Sequence, residues 1–149
     1  MLRIAVCCGG GFSSSTMASN LERQVKEQGL EDRAEITFIP FGEMVESGVP
    51  TAFNSGHSNR QTEVDVALLC PHLEYDAQRV KDQLTIPVYV LPMRLYGQVD
   101  AVNFIEEAED VLELWNQGVP NVIQFPDEPR SMTSMRNVSH RRWLASQGK

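Results

Sequence analysis

Residues 2–15, LRIAVCCGGGFSSS, decide the fold of this 149-residue chain. The first six of them are mostly apolar and predict a buried β-strand, which three consecutive glycines bring to an end. Helical spacing follows soon afterwards, because Met17, Leu21 and Val25 recur every four positions and Gly29 supplies a C-terminal stop. A strand, a glycine-rich turn and a helix in this order are typical of the start of an α/β domain.

The same alternation of strands and helices continues through most of the chain. It predicts a parallel sheet with helices on both faces, which makes a three-layer α/β/α domain built from right-handed crossovers. Further strands are predicted at 34–39, 64–70 and 88–93, the last at an edge of the sheet because Pro92 interrupts it. Helical spacing links Leu73 to Leu84, and a final helix capped by Asp100 has the predicted apolar face Val102, Ile105, Ala108, Leu112 and Trp115.

Two segments after the second strand are irregular. A short helix is predicted near residues 43–47. Residues 47–62, SGVPTAFNSGHSNRQT, are rich in Gly, Pro, Ser and Asn and predict a long loop. Loops of this length inside compact domains are often functional, so this one is a candidate lid or partner contact.

The net charge of −7 is unevenly distributed. All 20 acidic residues lie at or before Glu128, whereas residues 130–149 carry five basic residues and no acidic one. An acidic body argues against nucleic acid as a partner. The basic tail has no regular periodicity, which favours a solvated and partly disordered terminus. Folding back onto the acidic body, or contact with another protein, stays open as an alternative.

Membrane segments and metal sites are not expected. The sequence has no run of about 18 apolar residues, so we predict no direct membrane insertion. It has no secretory signal pattern either, which makes the cytoplasm the default location. Its three cysteines, Cys7, Cys8 and Cys70, are too few and too irregularly spaced for a disulfide framework or a metal site, and no cofactor is implied.

Cys8 leads directly into the glycine-rich turn and is the candidate catalytic residue. Consecutive glycine N–H groups can form an anion-binding nest, and a helix beginning near Ser13 points its positive dipole end at the same place. This field favours the thiolate of Cys8, a nucleophile placed to accept a phosphoryl group, whereas Cys7 still belongs to the strand and is interpreted as core. The predicted phosphate-binding residues are Gly9, Gly10, Gly11, Phe12, Ser13, Ser14 and Ser15.

Other proteins with a similar turn fit less well. The nucleotide-binding signature fails because no lysine precedes Lys26. The turn is similar to that of the low-molecular-weight tyrosine phosphatases, but Ser14 stands where these have arginine, and no Asp-Pro pair offers a general acid. Hydrolysis of the phosphothiolate should therefore be slow, as suits a carrier. A phosphatase-like or arsenate-reductase-like thiol enzyme, with Cys70 as resolving thiol, is the alternative, and a non-catalytic regulatory module is a third reading.

Three segments together resemble the IIB component of the lactose/cellobiose class of the bacterial sugar phosphotransferase system (PTS). The first is the cysteine loop, in which the family's patterned glycine falls on Gly11. The second is LLCPHLEY at 68–75, and the third is LYGQVD at 95–100. They occur in the family's order over residues 1 to about 116.

The resemblance implies a four-stranded parallel sheet in the order 2-1-3-4. The phosphocarrier-like domain would occupy residues 1–118, and residues 119–149 would form a partly irregular extension that ends in the basic tail. The implied activity is that of a phosphotransferase. Cys8 would accept a phosphoryl group from a phosphohistidine on a IIA protein and pass it to a sugar held by a IIC membrane permease.

The resemblance also implies residues around the site. Tyr75 and Tyr96 would flank it, with packing against the loop as the alternative role. His72 departs from the family pattern and is a further candidate flanking residue at this edge of the sheet. Separately from the resemblance, Arg79 and Arg94 are candidate contacts for transient docking of the partner proteins. Cys70 stands where the family has glycine, and His72 stands where it has glutamine. We therefore consider the hypothesis that Cys70 lies close enough to Cys8 for oxidative pairing.

Overall fold

The structure is a computed structural model of the chain. It describes residues 2–7, 12–38, 64–84, 86–98, 100–125, 136 and 138–146. The short helix predicted near 43–47 and the loop predicted at 47–62 lie outside these ranges.

Four strands form one parallel sheet. They are β1 (Leu2–Cys7), β2 (Ala34–Phe38), β3 (Val66–Leu69) and β4 (Val88–Val90). Their order is β2-β1-β3-β4, and every neighbouring pair runs parallel. The predicted sheet and its order 2-1-3-4 are confirmed, as is the edge position of the fourth strand. That strand ends at Val90 rather than at residue 93, because the chain turns at Pro92 into a helix.

Within the described ranges, five helices follow or flank the strands. They are α1 (Phe12–Glu27), α2 (Glu74–Arg79), α3 (Met93–Gln98), α4 (Ala101–Asn116) and α5 (His140–Ser146). Two short 3-10 turns, Pro71–Leu73 and Lys81–Gln83, lie on either side of α2. The predicted cap of α4 is confirmed, since the Asp100 carboxylate accepts a hydrogen bond from the Asn103 N–H at 3.1 Å.

Both faces of the sheet are buried, which is why its strands are almost continuously apolar. Ile4 and Val6 of β1 belong to a core cluster that includes Leu21 and Val25 of α1 and the buried apolar residues of α4. Ala5 and Cys7 point into a second cluster, which includes Ala77 of α2. The predicted three-layer α/β/α arrangement follows from these two clusters.

The buried face of α4 differs from the predicted one. Ile105 and Ala108 are buried as expected, but Val102, Leu112 and Trp115 are only half-buried. The buried residues of the helix are Ala101, Phe104, Ile105, Glu106, Glu107, Ala108 and Val111. The apolar members of this set face the sheet, whereas the two glutamates are covered by the C-terminal extension, which sequence periodicity does not reveal.

The first part of the extension lies along the outer side of β4. Ile123 forms a parallel bridge with Tyr89, and its N–H donates to the Val88 carbonyl at 2.9 Å. The Asn121 side chain continues this pairing, because it accepts from the Val88 N–H at 2.8 Å and donates to the Ile86 carbonyl at 2.7 Å. The sheet edge is therefore paired over this short stretch.

The end of the extension folds back onto α4. The Arg142 Nε donates to Glu106 at 2.7 Å, and the Arg141 Nη2 donates to Asp110 at 2.8 Å. The His140 ring stacks on the Phe125 ring, with centroids 4.0 Å apart and planes 3° from parallel. The structure supports the alternative that the tail folds back onto the acidic body, because Arg136, Arg141 and Arg142 are paired with carboxylates of α4, while residues 141–146 are exposed.

Candidate functional site at the carboxyl edge of the sheet

The carboxyl ends of β1 and β3 meet at one edge of the sheet. Cys7 is the last residue of β1, is fully buried and pairs in register with Leu69. Its carbonyl accepts a hydrogen bond from the Cys70 N–H at 3.1 Å, so the two cysteines lie on neighbouring chain segments. The interpretation of Cys7 as a core residue is confirmed.

The predicted phosphate loop begins one residue after β1. Cys8, Gly9, Gly10 and Gly11 lie outside the described residues. The backbone of Phe12, Ser13, Ser14 and Ser15 forms the first turn of α1, and their side chains are outside the description. α1 starts one residue before the predicted position near Ser13. Because only four residues separate β1 from α1, the free N–H groups of its first turn lie at the carboxyl edge of the sheet.

The corner after β3 brings two of the predicted flanking residues together. Cys70 and Pro71 are buried, whereas His72 is exposed in the 3-10 turn. The His72 ring meets the Tyr96 ring edge to face, with centroids 6.4 Å apart. Tyr96 lies in α3, after β4, so this contact connects the ends of two adjacent strands.

Tyr75 stands apart from that contact. Its side chain is 72% exposed at the start of α2, and the Arg79 guanidinium lies 5.9 Å from its ring centroid. Arg79 also forms an exposed ion pair with Asp76 at 3.8 Å. Arg94 is exposed on α3. Tyr75, Arg79 and Arg94 are therefore exposed on the helices that follow β3 and β4.

Cys70 is packed in the apolar cluster that also contains Cys7 and Leu73. A fully buried thiol in apolar surroundings is ordinarily inert. Its oxidative pairing with Cys8 stays a prediction, since Cys8 lies outside the described residues. Within the described ranges, no group of three or more His, Cys, Asp or Glu side chains is arranged to hold a metal ion.

The sequence itself places this fold in a known family. Residues 3–107 match the family described as "PTS system, Lactose/Cellobiose specific IIB subunit". The chain belongs to this family. Among solved structures, it is similar to the lactose-specific IIB domain of the PTS of Streptococcus pneumoniae, with 16% identity and a TM-score of 0.46 over 78% of this chain and 95% of that one. No curated protein sequence matches the chain.

The family match covers Cys8, the whole predicted phosphate loop, β1 from its second residue and the other three strands of this IIB-family chain. It ends at Glu107, in the middle of α4. The edge segment around Ile123 and helix α5 therefore lie beyond the matched region. In the parts of the chain that are described, each helix is too short or too polar to cross a bilayer.

Two carboxyl groups on α4 of this IIB-family protein, Glu106 and Glu109, have pKa values below the ordinary one. A hydrogen bond from Arg33 lowers the pKa of Glu109 below its ordinary value of 4.5, and this effect outweighs burial, which raises it. The Arg33 Nε atom donates to Glu109 Oε2 at 3.0 Å, and the Arg33 Nη2 atom donates to Glu109 Oε1 at 2.7 Å. The Arg141 guanidinium, 3.2 Å away, lowers the pKa further.

The pKa of Glu106 is also lowered, although burial, the largest single influence on it, acts in the opposite direction. Burial alone would raise the pKa, but hydrogen bonds from Arg142 and Ser139 favour the ionised carboxylate and lower it below 4.5. Sequence reasoning missed this network. The sequence feature that points to this network is the charge asymmetry between the basic tail and the acidic body. That asymmetry does not specify which residues pair.

Proposed function

We propose that this protein is a cytoplasmic phosphocarrier of a sugar PTS. Cys8 accepts a phosphoryl group from a phosphohistidine on a IIA protein and passes it to a sugar bound by a IIC membrane permease. The observation that carries this proposal is the family match over residues 3–107, which includes Cys8 and the complete glycine-rich turn.

The transfer consists of two in-line displacements. In the first, the Cys8 thiolate attacks phosphorus, the S–P bond forms and the P–N bond of phosphohistidine breaks. In the second, a sugar hydroxyl attacks the phosphocysteine, the O–P bond forms, the S–P bond breaks and the hydroxyl proton leaves. Backbone N–H groups from Gly9 to Ser15 hold the equatorial oxygens in both steps. No cofactor takes part.

The aromatic and arginine side chains that we place around this edge of the sheet suit transient docking of the IIA and IIC proteins. His72 and Tyr96, which are in ring contact, flank the proposed phosphate site, together with the exposed Tyr75. Arg79 and Arg94 are exposed on α2 and α3 and are the proposed cationic contacts. Aromatic and arginine side chains are the residues that most often contribute binding energy at protein interfaces.

A phosphatase-like or arsenate-reductase-like thiol enzyme is the second candidate. The buried state of Cys70 does not favour it, because a resolving thiol must be reachable by the oxidised cysteine. Ser14 in place of the phosphatase arginine also argues for a carrier, since the guanidinium that stabilises the hydrolytic transition state is missing.

The test is phosphorylation of the purified protein by phosphoenolpyruvate, the general PTS proteins and a IIA protein. We expect mass spectrometry to show a gain of about 80 daltons, one phosphoryl group, on a peptide that contains Cys8. The Cys8→Ser variant should show no stable thiol-linked phosphate. The matched control is Cys7→Ala, which changes the neighbouring core cysteine and should still be phosphorylated.

Three results would contradict the carrier proposal. One is a wild-type protein that gains no mass under these conditions, as a non-catalytic module would behave. Another is a gain that persists in Cys8→Ser. The last is steady release of inorganic phosphate, or turnover of an aryl phosphate by wild type but not by Cys8→Ser, which would favour the thiol hydrolase.

A further inference from the structure

Arg136 is a buried cation from the C-terminal extension. Its side chain is 3% exposed, and that of its partner Glu107 is 0% exposed. The Nη2 atom donates to Glu107 Oε2 at 2.6 Å, and the Nη1 atom donates to Glu107 Oε1 at 3.1 Å. The guanidinium and the carboxylate therefore meet in the two-pronged arrangement that distinguishes arginine from lysine.

Other groups complete the surroundings of this guanidinium. Nη2 also donates to the Tyr89 hydroxyl at 2.8 Å, and Nη1 donates to the Val138 carbonyl at 2.7 Å. The Cζ atom lies 5.5 Å from the centroid of the Phe125 ring, within range of a cation–π interaction. Glu107 belongs to α4 and Tyr89 to β4, so most of the pocket is provided by the body of the protein.

We propose that Glu107, Tyr89 and Phe125 form a guanidinium-binding pocket, and that Arg136 occupies it as an intramolecular ligand that holds the C-terminal extension in place. The ligand class is an alkylguanidinium. When the Arg136 side chain is removed, the pocket accepts the same cation from solution. This site is independent of the phosphoryl-transfer proposal, because none of its residues belongs to the cysteine loop.

The chemistry of the pocket explains its selectivity. A planar guanidinium satisfies both carboxylate oxygens and the Tyr89 hydroxyl at once, while its face can lie near Phe125. An ammonium ion is a compact, strongly hydrated charge that cannot present two parallel N–H groups to one carboxylate. The pocket should therefore bind methylguanidinium in preference to methylammonium.

The test uses the full-length Arg136→Ala variant with millimolar methylguanidinium or methylammonium chloride at equal ionic strength. We expect methylguanidinium to raise the melting temperature of Arg136→Ala saturably, as a ligand that binds the folded state does. Methylammonium should have no such effect. The matched control is Arg141→Ala, which removes an arginine of the same tail that is 42% exposed, and which should not respond.

A second variant makes the result specific to the pocket. Adding Glu107→Gln to Arg136→Ala removes the carboxylate and should abolish the response to methylguanidinium. If Arg136→Ala is recovered unfolded, its refolding yield with the two salts replaces the melting temperature as the measurement. The proposal is overturned by equal effects of the two cations, by no effect, or by an equal response of Arg141→Ala.

Discussion

The buried pair of Glu107 and Arg136 shows how single residues bind the extension to the body. Burying two charges costs more than it gains unless hydrogen bonds satisfy both groups. Here the guanidinium donates to Glu107, Tyr89 and Val138 among the described residues, and Glu107 Oε1 also accepts from the His140 N–H at 2.9 Å. The pair thus specifies where the tail docks, because a structure that buries only one of the two charges has a higher free energy.

Replacing Glu107 with glutamine tests this role. The variant keeps the shape of the side chain but leaves the Arg136 charge buried without its counter-charge. We expect Glu107→Gln to lower the free energy of unfolding by about 3–5 kcal/mol, measured by urea denaturation. Glu113→Gln, an exposed position on the same helix, is the control and should change stability by less than about 0.5 kcal/mol. A loss of equal size in both variants would contradict this account.

Helix α4 shows what could be predicted from the sequence and what could not. Its position, its Asp100 cap and the burial of Ile105 and Ala108 follow from local signals, since caps and apolar periodicity act within one element. The burial of Glu106 and Glu107 does not follow, because it depends on a segment about 30 residues away in the chain. Charge composition indicates attraction between two segments but does not determine their pairing.

Part of the candidate site also follows from local sequence signals, and part of it does not. The strand before Cys8, the helix start after the loop and the corner at Cys70 follow from the order of apolar and glycine-rich residues. The contact between His72 and Tyr96 depends on the orientation of two turns that join different strands, and local sequence contains no information on it. The roles of Cys8 and residues 9–15 stay predictions.

Acid should weaken the contacts that α4 makes with Arg33 and with α5. Glu106 and Glu109 have native pKa values below 4.5, so their ionised forms are favoured by the fold. Their contribution to stability is therefore complete above about pH 4.5 and is lost as the pH falls through the lowered native values. We expect the melting temperature to fall as the pH is lowered below about 4.5.

A double variant isolates this contribution. Glu106→Gln with Glu109→Gln should be less stable than wild type at neutral pH, yet lose less stability on acidification, because two of the titrating groups are gone. Thermal unfolding followed by circular dichroism across the pH range measures both effects. The matched control, Glu22→Gln with Glu27→Gln on the exposed side of α1, should follow the wild-type pH profile. A parallel profile for the α4 double variant would contradict the assignment.

At the scale of the whole molecule, the extension completes the sheet as well as covering α4. The order β2-β1-β3-β4 leaves β4 with one outer side, and Asn121 and Ile123 pair with part of that side. An exposed strand edge presents unpaired N–H and C=O groups that can pair with another chain. The extension thus packs against the region matched by the family, at the outer side of β4 and on α4.

Removing the Asn121 side chain tests how much this segment contributes to stability and to covering the edge of β4. Asn121→Ala deprives the Val88 N–H and the Ile86 carbonyl of the side-chain partners described above. We expect a loss of about 1–3 kcal/mol in the free energy of unfolding and more light scattering on storage, as β4 becomes available for pairing between molecules. Asn116→Ala, at the exposed end of α4, is the control. Unchanged stability and unchanged scattering would show that the segment adds little to the sheet.

The burial of two cysteines has a practical consequence for experiments. The chain has three thiols, and those of Cys7 and Cys70 are closed off inside the sheet's apolar layer. We therefore expect any thiol labelling of the native protein by a maleimide dye to occur at Cys8. Under the proposed function, phosphorylation would block this thiol, so uptake of dye before and after exposure to a phosphoryl donor would count the occupied carriers on the unaltered sequence.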